Sequence, residues 1–247
     1  MSFAAIFAVS LIAGLAYLSR RMTGDSQLER PIVIGPIVGL IMGDPYTGLM
    51  AGATLELVFM GAQAIGGSVP ANVAVACAVG TALAISNNTG AEVALIVAIP
   101  AAVFAALFEL IAKSVTAIFA HGVDRCADTA NHKGIILNVH AGNLLHFLSY
   151  FIPAFIALFF GEGVIQAMAN ALPANVQAGF DVMGKLLPAL GFGLLLSNLS
   201  TKKLMPYFFI GFAIAAYVPA FGVMGVSVLG AAFVVLYVNT RKADSAN

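Results

Sequence analysis

An ionisable side chain inside an apolar run of a membrane helix costs several kcal/mol by most scales, so each such residue calls for a reason. Glu56 lies in the middle of TLELVFMG, Asp44 sits between two short apolar segments, and Glu92 opens a long one. Glu56 has no basic residue within a helical turn to neutralise it. It reads as a protonated or polar-paired acid, or as a group that binds a solute, and the second reading is carried forward. Downstream, Gln63, Ser68 and Asn72 surround the break Gly66-Gly67-Ser68-Val69-Pro70. A carboxylate, amides and exposed backbone beside a helix break suit a ligand dense in hydroxyls, because planar polar groups both donate to and accept from a sugar ring. Glu56, Gln63, Ser68 and Asn72 are therefore the candidate substrate-binding residues.

The other charges have blander explanations. Glu109 with Lys113, and Asp181 with Lys185, stand at i,i+4 with the acid first, the order that favours pairing along a helix. They read as mutually neutralising pairs near a membrane face. His121, Asp124 and Asp128 in HGVDRCAD, with His140 in NVHAG, have spacings that a cytoplasmic helix end also produces. A structural role is preferred there over a metal site. Cys77 and Cys126 form no CxxC or Cys/His pattern and read as unpaired thiols. No nucleophile elbow, P-loop or glycine-rich nucleotide motif occurs, so no catalytic residue, cofactor or metal is expected.

The elements that must position these residues are membrane helices. Hydrophobic residues make up 61% of the 247 and charged residues 9%, against about 25% charged in soluble domains. The long unalternating apolar runs disfavour a β-barrel, and a net charge of zero offers no footprint for nucleic acid. Met1 to Leu18 is apolar and followed by Arg20 and Arg21, the reverse of a secretory signal, and reads as a retained membrane segment. Further apolar segments fall at 31–43, 46–65, 73–86, 92–118, 135–160, 181–199, 205–219 and 221–239. A crossing takes about 20 apolar residues, so the pieces between 31 and 86, punctuated by Gly43-Asp44-Pro45 and the break before Asn72, are expected to be broken helices or re-entrant hairpins. The whole chain, 1–247, reads as one polytopic domain, with 31–118 as the hairpin-rich region that holds the site. The stretch 162–181 is amphipathic and proline-broken, and is expected along the outer interface.

Clustered basic residues at Arg20, Arg21 and Arg30, Arg125 and Lys133, Lys202 and Lys203, and Arg241 and Lys242 are expected on the cytoplasmic side. That leaves the amino terminus outside and the carboxyl terminus cytoplasmic. Gly35, Gly39 and Gly43 form a doubled GxxxG, and Gly48 with Gly52 another, a spacing for close helix packing. These small faces are expected to ask for contacts beyond one chain.

The run from Arg30 through RPIVIGPIVGLIMGDPYTGLMAGATLELVFMGAQAIGGSVPANVAVA, continued by VALIVAIPAA, FAHGVDRCAD, NVHAG and LMPYFFIGFAIAA, resembles the mannose–sorbose family of phosphotransferase sugar permeases, membrane component IIC. This chain reads Pro70-Ala71-Asn72 where members often have two prolines and then an acid or Asn. The resemblance implies an all-α integral membrane protein built of a core and a V-shaped scaffold, moving sugar by an elevator-like shift. It implies pairing with membrane component IID, in trimers of IIC–IID pairs. Phosphoryl transfer falls to histidines on soluble IIA and IIB. It also implies a bacterial inner membrane location and a hexose or amino sugar as substrate, with N-acetylgalactosamine first and a mannose-type hexose second. Two rival readings stand beside it: an ion-coupled secondary transporter with Glu56 or Glu92 carrying a proton, and an intramembrane enzyme, for which no nucleophile with a base is found.

Overall fold

The computed structural model describes residues 1–247 apart from Asp25, 63–70, 89–90, 172–173, 202–203 and 245–247; within its helical segments the side chains of 91–93, 162–171, 174–181, 183–185, 187–188, 219, 223 and 239–244 are not described. The regular elements among the described residues are all helices, with no strand among them.

Helix α1 (Phe3–Met22) starts where Ser2 accepts the Ala5 N–H at 3.2 Å, and carries Arg20 and Arg21 in its last turn, where positive charge favours the helix dipole. Its buried face is Ile6, Val9, Ser10, Ala13, Gly14 and Tyr17, the three-and-four spacing of a helix with one side against a core. Helices α2 (Pro31–Met42) and α3 (Pro45–Phe59) each open on a proline at the first helical position, where its missing N–H costs nothing. Gly43 ends α2 with φ +86°, a conformation that a side chain strains, and Asp44 then caps α3 by accepting the Thr47 N–H at 3.0 Å. Helix α4 (Val73–Ser86) is buried on every side from Ala74 to Ala84, as an element apolar all round must be.

Among the described residues three helices have the length and composition to cross a bilayer: α1, α5 (Ala91–Asp128) over 94–128, and α6 (His132–Ala171) over 132–161. At 1.5 Å per residue, α2, α3 and α4 reach only about 18 to 23 Å against about 30 Å of hydrocarbon. The broken-hairpin reading of 31–86 thus agrees with the helix lengths.

The expectation that the small-residue faces await a second chain is corrected. Gly35 and Gly39 of α2 meet Gly48 and Gly52 of α3 in the same chain: a Cβ added at Gly35 would lie 2.6 Å from the Gly52 Cα, and one at Gly48 2.6 Å from the Gly39 Cα. Gly43 serves the turn instead. The local sequence could not say which glycine face would meet which, because the Gly43-Asp44-Pro45 reversal folds one GxxxG onto the other.

The chain divides into two compact units, Met1–Leu195 and Leu196–Asn247. The first holds α1 to α6 and most of α7 (Ala174–Leu199). In the second, α8 (Met205–Tyr217) and α9 (Gly222–Asp244) are joined by a short 3-10 turn at Pro219–Phe221 and enclose an apolar groove of about 360 Å³ between faces that include Tyr207, Ile210, Phe233 and Tyr237.

Candidate solute-binding cavity

A cavity of about 190 Å³ lies in the first unit, far more than a single water needs. Its walls come from the end of α1 (Tyr17, Arg20), the connector to α2 (Gln27, Glu29, Arg30), the start of α4 (Asn72 to Ala74), α5 (Glu109, Lys113) and α6 (Tyr150).

Glu109 is the hub. Its side chain is 8% exposed, and it meets Lys113 Nζ at 3.0 Å through Oε1. Its Oε2 accepts from the Tyr150 hydroxyl at 3.0 Å and from Asn72 Nδ2 at 3.4 Å. A buried carboxylate survives only with a countercharge and hydrogen bonds, and these three donors supply both. Tyr150 is fixed in turn by stacking on Tyr17, with ring centroids 4.0 Å apart and planes 12° apart.

Asn72 is 2% exposed and does three things. Its Oδ1 accepts the Val75 N–H at 3.1 Å and so caps α4. Its backbone N–H donates to Ala102 O at 3.2 Å, tying α4 to α5. Its Nδ2 faces Glu109. Because Oδ1 must face the Val75 N–H, the amide orientation is set, and one Nδ2 hydrogen remains for a solute.

Glu56 does not line the cavity; Arg30 does. Arg30 donates from Nε to Glu56 Oε1 at 2.8 Å and also from its terminal Nη2. Glu56 Oε2 accepts the Ile32 N–H at 3.3 Å. Arg30 occupies the N-cap position of α2 without a side-chain cap of its own, so a carboxylate reaching over from α3 serves the open amide end. The acid that has no base within a helical turn has one 26 residues earlier. A second pair, Arg20–Glu29 at 2.6 Å, pins the connector to α1.

Of the four expected binding residues, Asn72 lines the cavity, Glu56 stands one side chain behind it, and Gln63 and Ser68 lie outside the described residues. Asp44 serves as a helix cap, and the side chains of Glu92, Asp181 and Lys185 are likewise not described, nor are those of 162–171 and 174–181 in the amphipathic stretch. The Glu109–Lys113 pair forms as its spacing predicts, but within the cavity wall. His121 and Asp124 make a 3.9 Å contact on an exposed surface, each side chain 78% exposed. Both cysteines are free thiols, Cys77 buried and Cys126 half-buried.

Sequence reasoning missed Tyr17, Arg30, Tyr150 and His146. His146 is fully buried, with Nε2 2.9 Å from Thr116 Oγ1. Thr116 spends its one proton on Ala112 O at 2.7 Å, so it accepts from His146 and the imidazole carries its hydrogen on Nε2. A signal for Glu109 existed, an acid inside VFAALFELIAKS, but its nearby lysine explained it too easily.

The family model described as the sorbose-specific IIC component of the phosphotransferase system (PTS) matches residues 3–236. The chain is 31% identical to the mannose-specific EIIC component of the PTS of Escherichia coli K12 over 235 residues, covering 94% of this chain and 86% of that one. It is 31% identical to the sorbose-specific EIIC component of Klebsiella pneumoniae, covering 98% and 91%, and 33% identical to N-acetylgalactosamine permease IIC component 1 of E. coli K12, covering 84% and 78%. Among solved structures, one described as a membrane protein matches with a TM-score of 0.86. The mannose transporter ManYZ in complex with microcin E492 matches with a TM-score of 0.61. Both are 28% identical and cover 97% of this chain and 96% of theirs.

Proposed function

Because this chain belongs to the family of sorbose-type IIC components of the phosphotransferase system, we propose that it carries a hexose or amino sugar across the bacterial inner membrane, N-acetylgalactosamine first and a mannose-type hexose second, and delivers it for phosphorylation by separate IIA and IIB proteins. The observation that carries this reading is the buried polar hub of Glu109, Asn72 and Tyr150 at a cavity among apolar helices. Such groups are expensive in a membrane protein and mark solute pathways. A carboxylate with room for another donor, an amide with an N–H to spare and tyrosine rings are the groups that hold sugar hydroxyls and the faces of sugar rings.

Asn72 is the expected binding residue best supported by this arrangement. Gln63 and Ser68, which precede Asn72 in sequence, remain part of the proposed site, and Glu56 enters it through Arg30. The cavity belongs wholly to the unit 1–195, which we take as the body that moves in an elevator-like step. Component IID is the proposed membrane partner, in trimers of pairs. The likeness to the ManYZ transporter supports that pairing. The amino terminus is placed outside and the carboxyl terminus in the cytoplasm on the strength of the basic clusters; reporter fusions at both ends check this, and an external carboxyl terminus would reverse the topology.

The ion-coupled reading calls on Glu56 or Glu92, and Glu56 is tied to the Arg30 guanidinium. The deciding experiment is uptake and phosphorylation of a sugar panel in cells that carry this chain with its IID, IIA and IIB neighbours. Uptake that requires the phosphocarrier proteins is the expected result. Uptake that survives their loss but collapses with an uncoupler refutes it.

A further inference from the structure

Three cations line the cavity: Arg20, Arg30 and Lys113. Each has an acid. Arg20 pairs with Glu29 at 2.6 Å and Lys113 with Glu109 at 3.0 Å, and both of those acids also line the cavity. Arg30 pairs with Glu56, which does not. Among these side chains charge therefore balances, and the balance depends on one residue, Glu56, that does not line the cavity. Arg30 and Glu56 are 14% and 19% exposed, so the pair sits where charges are weakly screened. Glu56 occupies Nε and a terminal nitrogen of Arg30, the fork with which arginine reads carboxylate and phosphate. The Ile32 N–H holds Glu56 in that position.

We propose that Glu56 is a specificity-determining positioning residue: by occupying the Arg30 fork it keeps the cavity neutral, so that the site takes an uncharged, hydroxyl-rich solute and discriminates against an anionic one. This rests on the sugar-binding reading above and deepens it. A sugar phosphate is an anion, so the same discrimination works against rebinding of the phosphorylated product.

The test is competition binding on the purified complex with its membrane partner, using labelled N-acetylgalactosamine displaced by galactose, galacturonate or protonated galactosamine. In Glu56→Gln the fork of Arg30 is released, and the affinity ratio of galacturonate to galactose should rise about tenfold, equivalent to about 1.4 kcal/mol. The double variant Arg30→Gln/Glu56→Gln, which is neutral again, should return that ratio to the wild-type value. If Glu56 only packs α3 on α2, Glu56→Gln weakens all competitors alike, the ratio stays put, and the inference is overturned. Should Glu56→Gln fail to assemble, Arg30→Gln leaves the acid uncancelled and should raise the ratio of galactosamine to galactose; an unmoved ratio there also overturns the inference. A wild-type complex that binds none of the neutral sugars removes the sugar-binding reading itself, whereas one that binds them with unmoved ratios in the variants removes only the role of Glu56.

Discussion

Replacing Gly48 by alanine adds one methyl group where α3 presses on α2. The new Cβ would stand 2.6 Å from the Gly39 Cα and 2.7 Å from the Gly35 carbonyl oxygen. Carbon atoms rest at about 3.5–4.0 Å, so the helices must part by roughly 1 Å. Both obstacles are backbone, and no side chain can swing aside. The two helices are also joined by the two-residue turn Gly43-Asp44, which leaves little slack. Overpacking of this kind costs about 1–3 kcal/mol, and the rigidity of the neighbours argues for about 3. The same substitution at Gly193, where an added Cβ meets nothing within 4 Å, should instead gain up to about 1 kcal/mol from helix propensity. Thermal unfolding of the two purified variants in one detergent should therefore separate them by roughly 8–16 °C, at 2–4 °C per kcal/mol for a chain of this size. Equal melting temperatures would show that α2 and α3 are not held at glycine-to-glycine distance.

Tyr150→Phe keeps the ring stacked on Tyr17 but removes a donor to Glu109; a hydrogen bond to a charged group is worth about 1.5–3 kcal/mol, and the remaining Lys113 and Asn72 contacts argue for the lower figure, so sugar affinity by calorimetry should fall by up to about tenfold. An unchanged affinity with a lowered melting temperature would reduce the tyrosine to scaffolding. Asn72→Ala should lose both the α4 cap, about 1 kcal/mol, and sugar affinity, whereas Asn72→Ser keeps a capping oxygen without the amide N–H. The serine variant should thus recover stability on melting while binding stays weak, and full recovery of binding would assign Asn72 to the cap alone.

The short helices were legible because their ends are written in local chemistry. Pro31 and Pro45 open α2 and α3, Gly43 closes α2, and Asn72 starts α4 one residue before the expected apolar segment 73–86. The cavity was legible only where its contacts are local. Glu109 and Lys113 are one helical turn apart and were read as a pair, but the partners that turn the pair into a site, Asn72 and Tyr150, are 37 and 41 residues away. Glu56 drew attention as an acid without a nearby base, and that reasoning holds within a helix; it fails across a helix hairpin, where α3 runs back beside the start of α2. Periodicity reports which face of a helix is apolar. It does not report which other element that face will meet.

The Arg30–Glu56 pair also has a place in time. Synthesis delivers Arg30 well before Glu56, so α2 enters the insertion machinery with its arginine uncancelled. Under the proposed topology it would count, together with Arg20 and Arg21, toward cytoplasmic retention of the loop ahead of α2, since insertion weighs basic residues heavily and acids little. Only when α3 has emerged and turned back at Gly43 can Glu56 reach the guanidinium. On that topology one arginine would serve membrane orientation first and, once paired with Glu56, the folded protein afterwards.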